Sequence, residues 1–231
     1  AITIQSKGDI AAQNLASNKD ITLHTESGDL TVNTISAENS VTLTADSGAI
    51  TGLSNGSANI QLADSIILKA AKDISALMIP DSILEAKVTG QGNIEIQSTG
   101  GITLKDIQTQ NGAFDLVAAA SITALNVDIS GNVSMQNTSG DMTIDSINAN
   151  GSTRVVTQNQ LSIDQAVSSS QMNLQSTSGD IAIGSLTAET ITLIADQGSI
   201  TDAADDNLVD IQSNSVSLKA SGNITDLELN I

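Results

Sequence analysis

Tryptophan, tyrosine and cysteine are missing from this 231-residue sequence, and phenylalanine and proline occur once each. Without aromatic rings there is little of the large contact surface that a conventional globular core or a ligand pocket uses. Without cysteine neither a disulfide nor a thiolate metal centre can form, although the lack identifies no compartment. A single histidine, His24, excludes a two-histidine metal site and offers no partner for a catalytic triad. Cationic side chains are scarce too: 8 Lys plus Arg stand against 26 Asp plus Glu, a net charge of -18. Such a surface repels nucleic-acid phosphates and anionic headgroups, which excludes nucleic-acid binding. No apolar run approaches the length of a membrane span and no export signal is present, so any signal is expected outside this stretch.

What is abundant is aliphatic and repetitive. Pairs of apolar residues separated by one residue recur from Ile2/Ile4, Ile21/Leu23 and Val41/Leu43 through Ile66/Leu68 and Ile94/Ile96 to Ile191/Leu193 and Val216/Leu218. Eleven such triplets start 19, 20, 25, 28, 20, 19, 20, 19, 19 and 25 residues apart. A second apolar anchor follows eight or nine residues after each, beginning Ile10, Leu30, Ile50 and Ile74 and ending at Ile224. Leu15, Ile35, Ile107, Ile147, Val167 and Leu186 mark a third position in the short coils. Period-two spacing puts the outer members of a triplet on one face of a strand. A unit of some twenty residues cannot bury that face alone, whereas stacked units bury a continuous column. The expected fold is therefore all-β, a parallel β-helix (β-solenoid) of about eleven coils, three strands to a coil, with three longer coils. Eleven coils make a rod roughly 50 Å long.

The phrase "TSGDMTI" at 138–144 returns as "TSGDIAI" at 177–183, with looser copies at 6–12 and 26–32. It falls between the first and second strand of a coil, so Gly8, Gly28, Gly48, Gly100, Gly140, Gly179, Gly198 and Gly222 are read as corner residues reaching positive φ. The alternative is a carboxylate ladder, with Asp9 and Asp29 one strand spacing apart and able to take a cation. Above the coil lies a longer period: 41–75 align without gaps on 191–225, with twelve of the 35 positions identical. The expected organisation is one continuous solenoid over 1–231, with a first seven-coil module at 1–152, the first four coils of a second at 153–231, and more of the rod beyond.

Long coils are where loops leave the wall, and loops carry binding residues. They are expected after Ile50, Ile74 and Ile200, with Gly52, Asp202 and Asp226 replacing inward apolar residues. The acidic segment "DAADDNLVD" (202–210) is the best cation or partner candidate, against a plain solvated bulge. The apolar segment "ALMIPDSIL" (76–84), with Pro80, is expected to cover the side of the rod as a packed flap. His24 is read as solvated near a corner. Phe114 and the methionines Met135, Met142 and Met172 are read as core. No catalytic, cofactor-binding or metal residue is assigned, no cofactor is expected, and the chain is not read as an enzyme: carboxylates are abundant enough to pair by accident, but the aromatic rings that line a sugar-cleaving groove are missing.

The phrases "VTLTADSGAIT", "ITLHTESGDLTV", "IEIQSTGGITL" and "ITLIADQGSIT" resemble the repeat region of filamentous-haemagglutinin-type adhesins, the large exoproteins of bacterial two-partner secretion. The likeness extends over essentially the whole chain. It implies a right-handed β-helical shaft, secreted through an outer-membrane partner and displayed at the bacterial cell surface, with flanking coils of the same chain above and below. The Asn-Pro-Asn-rich secretion domain of that family is not matched, nor is an Arg-Gly-Asp present. The function expected is a structural stalk that projects a distal domain. The alternatives are an adhesive module touching a glycan, a matrix component or a neighbouring rod, and the shaft of a contact-dependent toxin system. Ice binding through threonine rows ranks below these, since outward threonines seldom pair.

Overall fold

The computed structural model describes residues 1–231 except 54–55 and 205–206. Among the described residues 25 strands lie in one parallel sheet that winds around a single core, about eleven turns in all, and no helix occurs. Each coil has a straight side of one strand, such as Ile21–Thr25, and a bent side, such as Leu30–Ala37, which turns inward twice. In some coils the bent side breaks into two strands, as at Ile122–Ala124 and Val127–Ile129.

Register follows the triplets. Ile21, Thr22 and Leu23 pair with Ile2, Thr3 and Ile4 below and with Val41, Thr42 and Leu43 above. Like therefore stacks on like, and the inward members are fully buried: Ile21, Leu23, Val41 and Leu43 are each 0 % exposed. One uninterrupted cluster of aliphatic side chains fills the bore from Ile10 to Ile211, with Phe114, Met135, Met142 and Met172 inside it as expected.

Two expectations change. Ile94 does not stack on Ile66. The residues paired with Ile66 and Leu68 are Leu84 and Ala86, while Ile94 pairs with Ile74 and Ile96 with Leu77. The 28-residue coil after Ile74 consequently does not exist, and two longer coils remain, those leaving the wall after Gly52 and Asp202. The segment 76–84 is wall rather than flap: Leu77, Ile79 and Leu84 are 0 % exposed and lie within the paired strands Ile74–Ile79 and Ser82–Gln91. The physical cause is that Ile83 and Leu84 are both apolar, so either one could be read as the inward residue.

The same rearrangement exchanges the two sides of the rod. The straight strand Ser65–Ala70 is followed in its column by Ser82–Gln91, which then carries the bent strand Ile102–Asn111. On the other side, the bent column of Ile10, Leu30, Ile50 and Ile74 continues as the straight column Ile94, Phe114, Val133 and Thr153. Val41 and Ile191, aligned by the 150-residue repeat, thus lie in opposite columns. Seven stacking steps lead from Val41 through Ile66, Leu84, Leu104, Ala124, Ile144 and Ile163 to Ile183, and Ile191 follows half a coil later. The sequence module spans seven and a half coils rather than seven.

Candidate functional site

The corner phrase proves to be structural. Asp29 N–H donates to Asp9 Oδ1 at 2.9 Å, and Ala49 N–H donates to Asp29 Oδ1 at 2.9 Å. The pattern recurs from Asp73 to Asn93 to Ala113, and from Asp180 to Ser199 to Asn223. Each corner side chain accepts from a backbone amide of the coil above at the exposed corner, where the strand ladder supplies it no carbonyl. The glycines beside them are explained differently from the expectation. Among these corners only Gly140 has positive φ, at 80°. At Gly48 the constraint is proximity: a Cβ there would lie 2.0 Å from the carbonyl oxygen of Gly28.

His24 is half-buried and tied rather than solvated. Its Nε2 lies 2.7 Å from Asp46 Oδ2, and Lys69 Nζ approaches Asp46 Oδ1 at 3.9 Å. The hydrogen bond to His24, with the charges of His24 and Lys69 behind it, holds the Asp46 carboxyl below its ordinary range despite some desolvation. Asp196, 150 residues on, has partners placed in the same way: Gln175 Nε2 donates to its Oδ2 at 2.7 Å, and Lys219 Nζ lies 3.6 Å from its Oδ1. In both modules an acid cross-ties the coils below and above it.

At the first long coil, Asn59 is 1 % exposed and closes the base of the loop. Its Nδ2 donates to the carbonyls of Val32 at 3.1 Å and Leu53 at 3.0 Å, and its Oδ1 accepts from Met78 N–H at 2.9 Å. Beside it opens a cleft of about 300 Å³ bounded by Leu53, Ser57, Ala76, Met78, Glu95 and Gln97. No pair of acids faces it.

At the second long coil two acids of the segment 202–210 converge with a third from outside it. The carboxylates of Asp202, Asp210 and Glu228 come within 4.8 Å of one another. Asp202 ends the strand Ile200–Asp202 and accepts from Ala204 N–H at 2.8 Å. Asp210 is 3 % exposed and accepts from Glu228 N–H at 2.9 Å through Oδ2. Glu228 Oε2 is buried without a hydrogen-bond partner. Burial pushes the Glu228 carboxyl above its ordinary range, with the hydrogen bond to Asp210 and the charges of Asp210 and Asp202 adding to it. Such a group of oxygens suits a proton shared between Glu228 and Asp210, or a hard cation. Of the acids flagged by sequence, Asp205 and Asp206 lie outside the described residues, and Asp226 is exposed and not in the cluster. Glu228 was missed because only the pairing of Ile211 with Leu229 brings it over Asp210. Next to the cluster the loop exposes Leu208 at 67 % and Val209 at 50 %.

Comparison with protein-family models, with curated proteins and with solved structures finds no match. The chain is a parallel β-solenoid built of repeats, and that much rests on its own geometry.

Proposed function

We propose that this chain is a stalk segment of a large bacterial surface adhesin, secreted through an outer-membrane partner and projecting a distal domain from the cell. The observation that supports it is the unbroken aliphatic core, one column of buried side chains from Ile10 to Ile211. A rod held together by identical rung-on-rung contacts has stiffness and reach, and each coil needs only its neighbours to fold. Folding by local addition suits a chain that crosses a membrane unfolded, and a net charge of -18 discourages sideways association. Flanking coils of the same chain are its structural partners in this reading.

The test is replacement. In the surface protein that carries the segment, an unrelated β-solenoid of the same length is substituted, and adhesion is measured. A stalk predicts full adhesion with the substitute and loss when the segment is simply deleted. Loss with the substitute as well would overturn the reading. It would favour instead an adhesive module that touches a glycan or matrix component through the long-coil loops, where the exposed Leu208 and Val209 would make the contact.

A further inference from the structure

Arg154 is the only arginine of an acid-rich chain, yet among the described residues it makes no ion pair. It projects from the straight strand Thr153–Thr157, exposed and stacked between Ser134 below and Asn173 above. Its column continues to Thr192, and the column beside it runs Gln136, Val156, Gln175 and Ile194. None of these outward residues is acidic. The first carboxylate below Arg154 in its own column is Asp115, two rungs and roughly 10 Å away, about one screening length at physiological salt. Asp196, at the corner beyond Ile194, already accepts from Gln175 Nε2 at 2.7 Å and has Lys219 Nζ at 3.6 Å. In a molecule of net charge -18, the one charge these two columns project between Ser134 and Ile194 is thus positive.

A groove of about 190 Å³ lies between the columns, lined by Arg154, Val156, Asn173, Gln175, Thr192 and Ile194. Val156 and Ile194 are half-buried and give it an apolar floor. Asn173 and Thr192 offer an amide and a hydroxyl, and the guanidinium presents a rigid fork of donors.

These groups select a ligand by chemistry. A planar fork with no acid of its own matches a carboxylate, taken through two parallel hydrogen bonds. An extended peptide has no edge to join, because the strands Thr153–Thr157 and Gln171–Ser176 are already paired on both sides. A neutral sugar would lean on an aromatic face, and the one phenylalanine, Phe114, is buried in the bore. The volume falls below the roughly 300–1,000 Å³ of a drug-sized pocket and leaves room for a single sugar ring.

We infer that this groove is a binding site for a hexuronate unit of an acidic glycan, its carboxylate held by Arg154, its hydroxyls by Asn173 and Thr192, and its C–H face by Val156 and Ile194. A stalk can carry such a site on its flank without any change to its core.

Nitrogen-15 spectra of the chain, titrated with galacturonate and separately with galactose, read this out. Galacturonate is expected to shift the amides of Thr153–Thr157, Gln171–Ser176 and 190–195 in a saturable manner, with a dissociation constant of about 1 mM for a ligand of this size. Arg154→Gln is expected to weaken binding by roughly tenfold or more, and Arg154→Lys, which keeps the charge but loses the fork, by less. Neither substitution should lower the unfolding midpoint, since Arg154 is exposed, so lost binding reports the ligand contact alone. No saturable shift at about fifty times the expected dissociation constant overturns the inference, and so do equal shifts with galactose. Undiminished affinity in Arg154→Gln also overturns it, as do saturable shifts centred on any other face of the rod.

Discussion

Gly8 and Gly48 occupy the same place in the same phrase, and a reading based on backbone conformation alone gives them the same cost on substitution. Neither has positive φ, so alanine fits the backbone at both. What differs is the floor beneath them. At Gly48 an added methyl would sit 2.0 Å from Gly28 O, 2.6 Å from Gly28 C and 2.7 Å from Asp29 Oδ1. Relief needs a movement of about 1 Å by backbone that is itself bonded on both sides, which is overpacking of the kind that costs about 1–3 kcal/mol or more. In the 231-residue chain taken by itself no atom lies within 4 Å of a Cβ at Gly8, so there the loss of freedom in the unfolded chain stabilises the fold by about 0.4–1 kcal/mol. Urea unfolding of this 231-residue chain, followed by far-ultraviolet circular dichroism, measures both. Gly48→Ala should lower the midpoint and Gly8→Ala should hold or raise it. Equal losses at the two sites would refute the close-approach account and restore backbone conformation as the reason for these glycines.

Leu116→Ala should cost about 2–5 kcal/mol in the same unfolding assay, because Leu116 is 0 % exposed and stacked between Ile96 and Met135. Asn59→Ala strips three carbonyls and one amide of their buried partner, so a loss of about 1–3 kcal/mol is expected. Hydrogen exchange should show the loss concentrated at the first long coil. For Glu228 the folded state favours the protonated form, since its carboxyl is raised. Ionisation thus weakens the last coil progressively as pH rises from the ordinary carboxyl range through the raised value. Amide exchange at Asp210 and Ile211 should accelerate over that window, and Glu228→Gln should remove the acceleration.

Most of the fold was legible because each triplet repeats the same period-two pattern and each coil has nearly the same length. Ile21, Val41 and Ile66 reveal the wall by spacing alone. The reading failed at 76–84, where Ile83 and Leu84 make both faces of a strand apolar and period no longer identifies the inside. Counting from Ile66 to Ile94 then skipped the rung made by Leu84 and Ala86. Corner glycines were found, but the reason for them was not, since closeness to the coil below is a distance between residues twenty apart in sequence. The acid cluster was half visible. Asp202 and Asp210 bracket a loop that composition marks out, whereas Glu228 enters only through the pairing of Ile211 with Leu229.

A repeat of seven and a half coils cannot return to its starting azimuth after one module. In an array of such modules, whatever the first displays to the left the second displays to the right, at intervals of about 36 Å. The long-coil loops that follow Gly52 and Asp202 already show this, one on each flank of the same rod. Identical segments laid end to end would thus offer their loops to neighbours on both sides at once, with lateral forces balanced along the length and no preferred direction of bend.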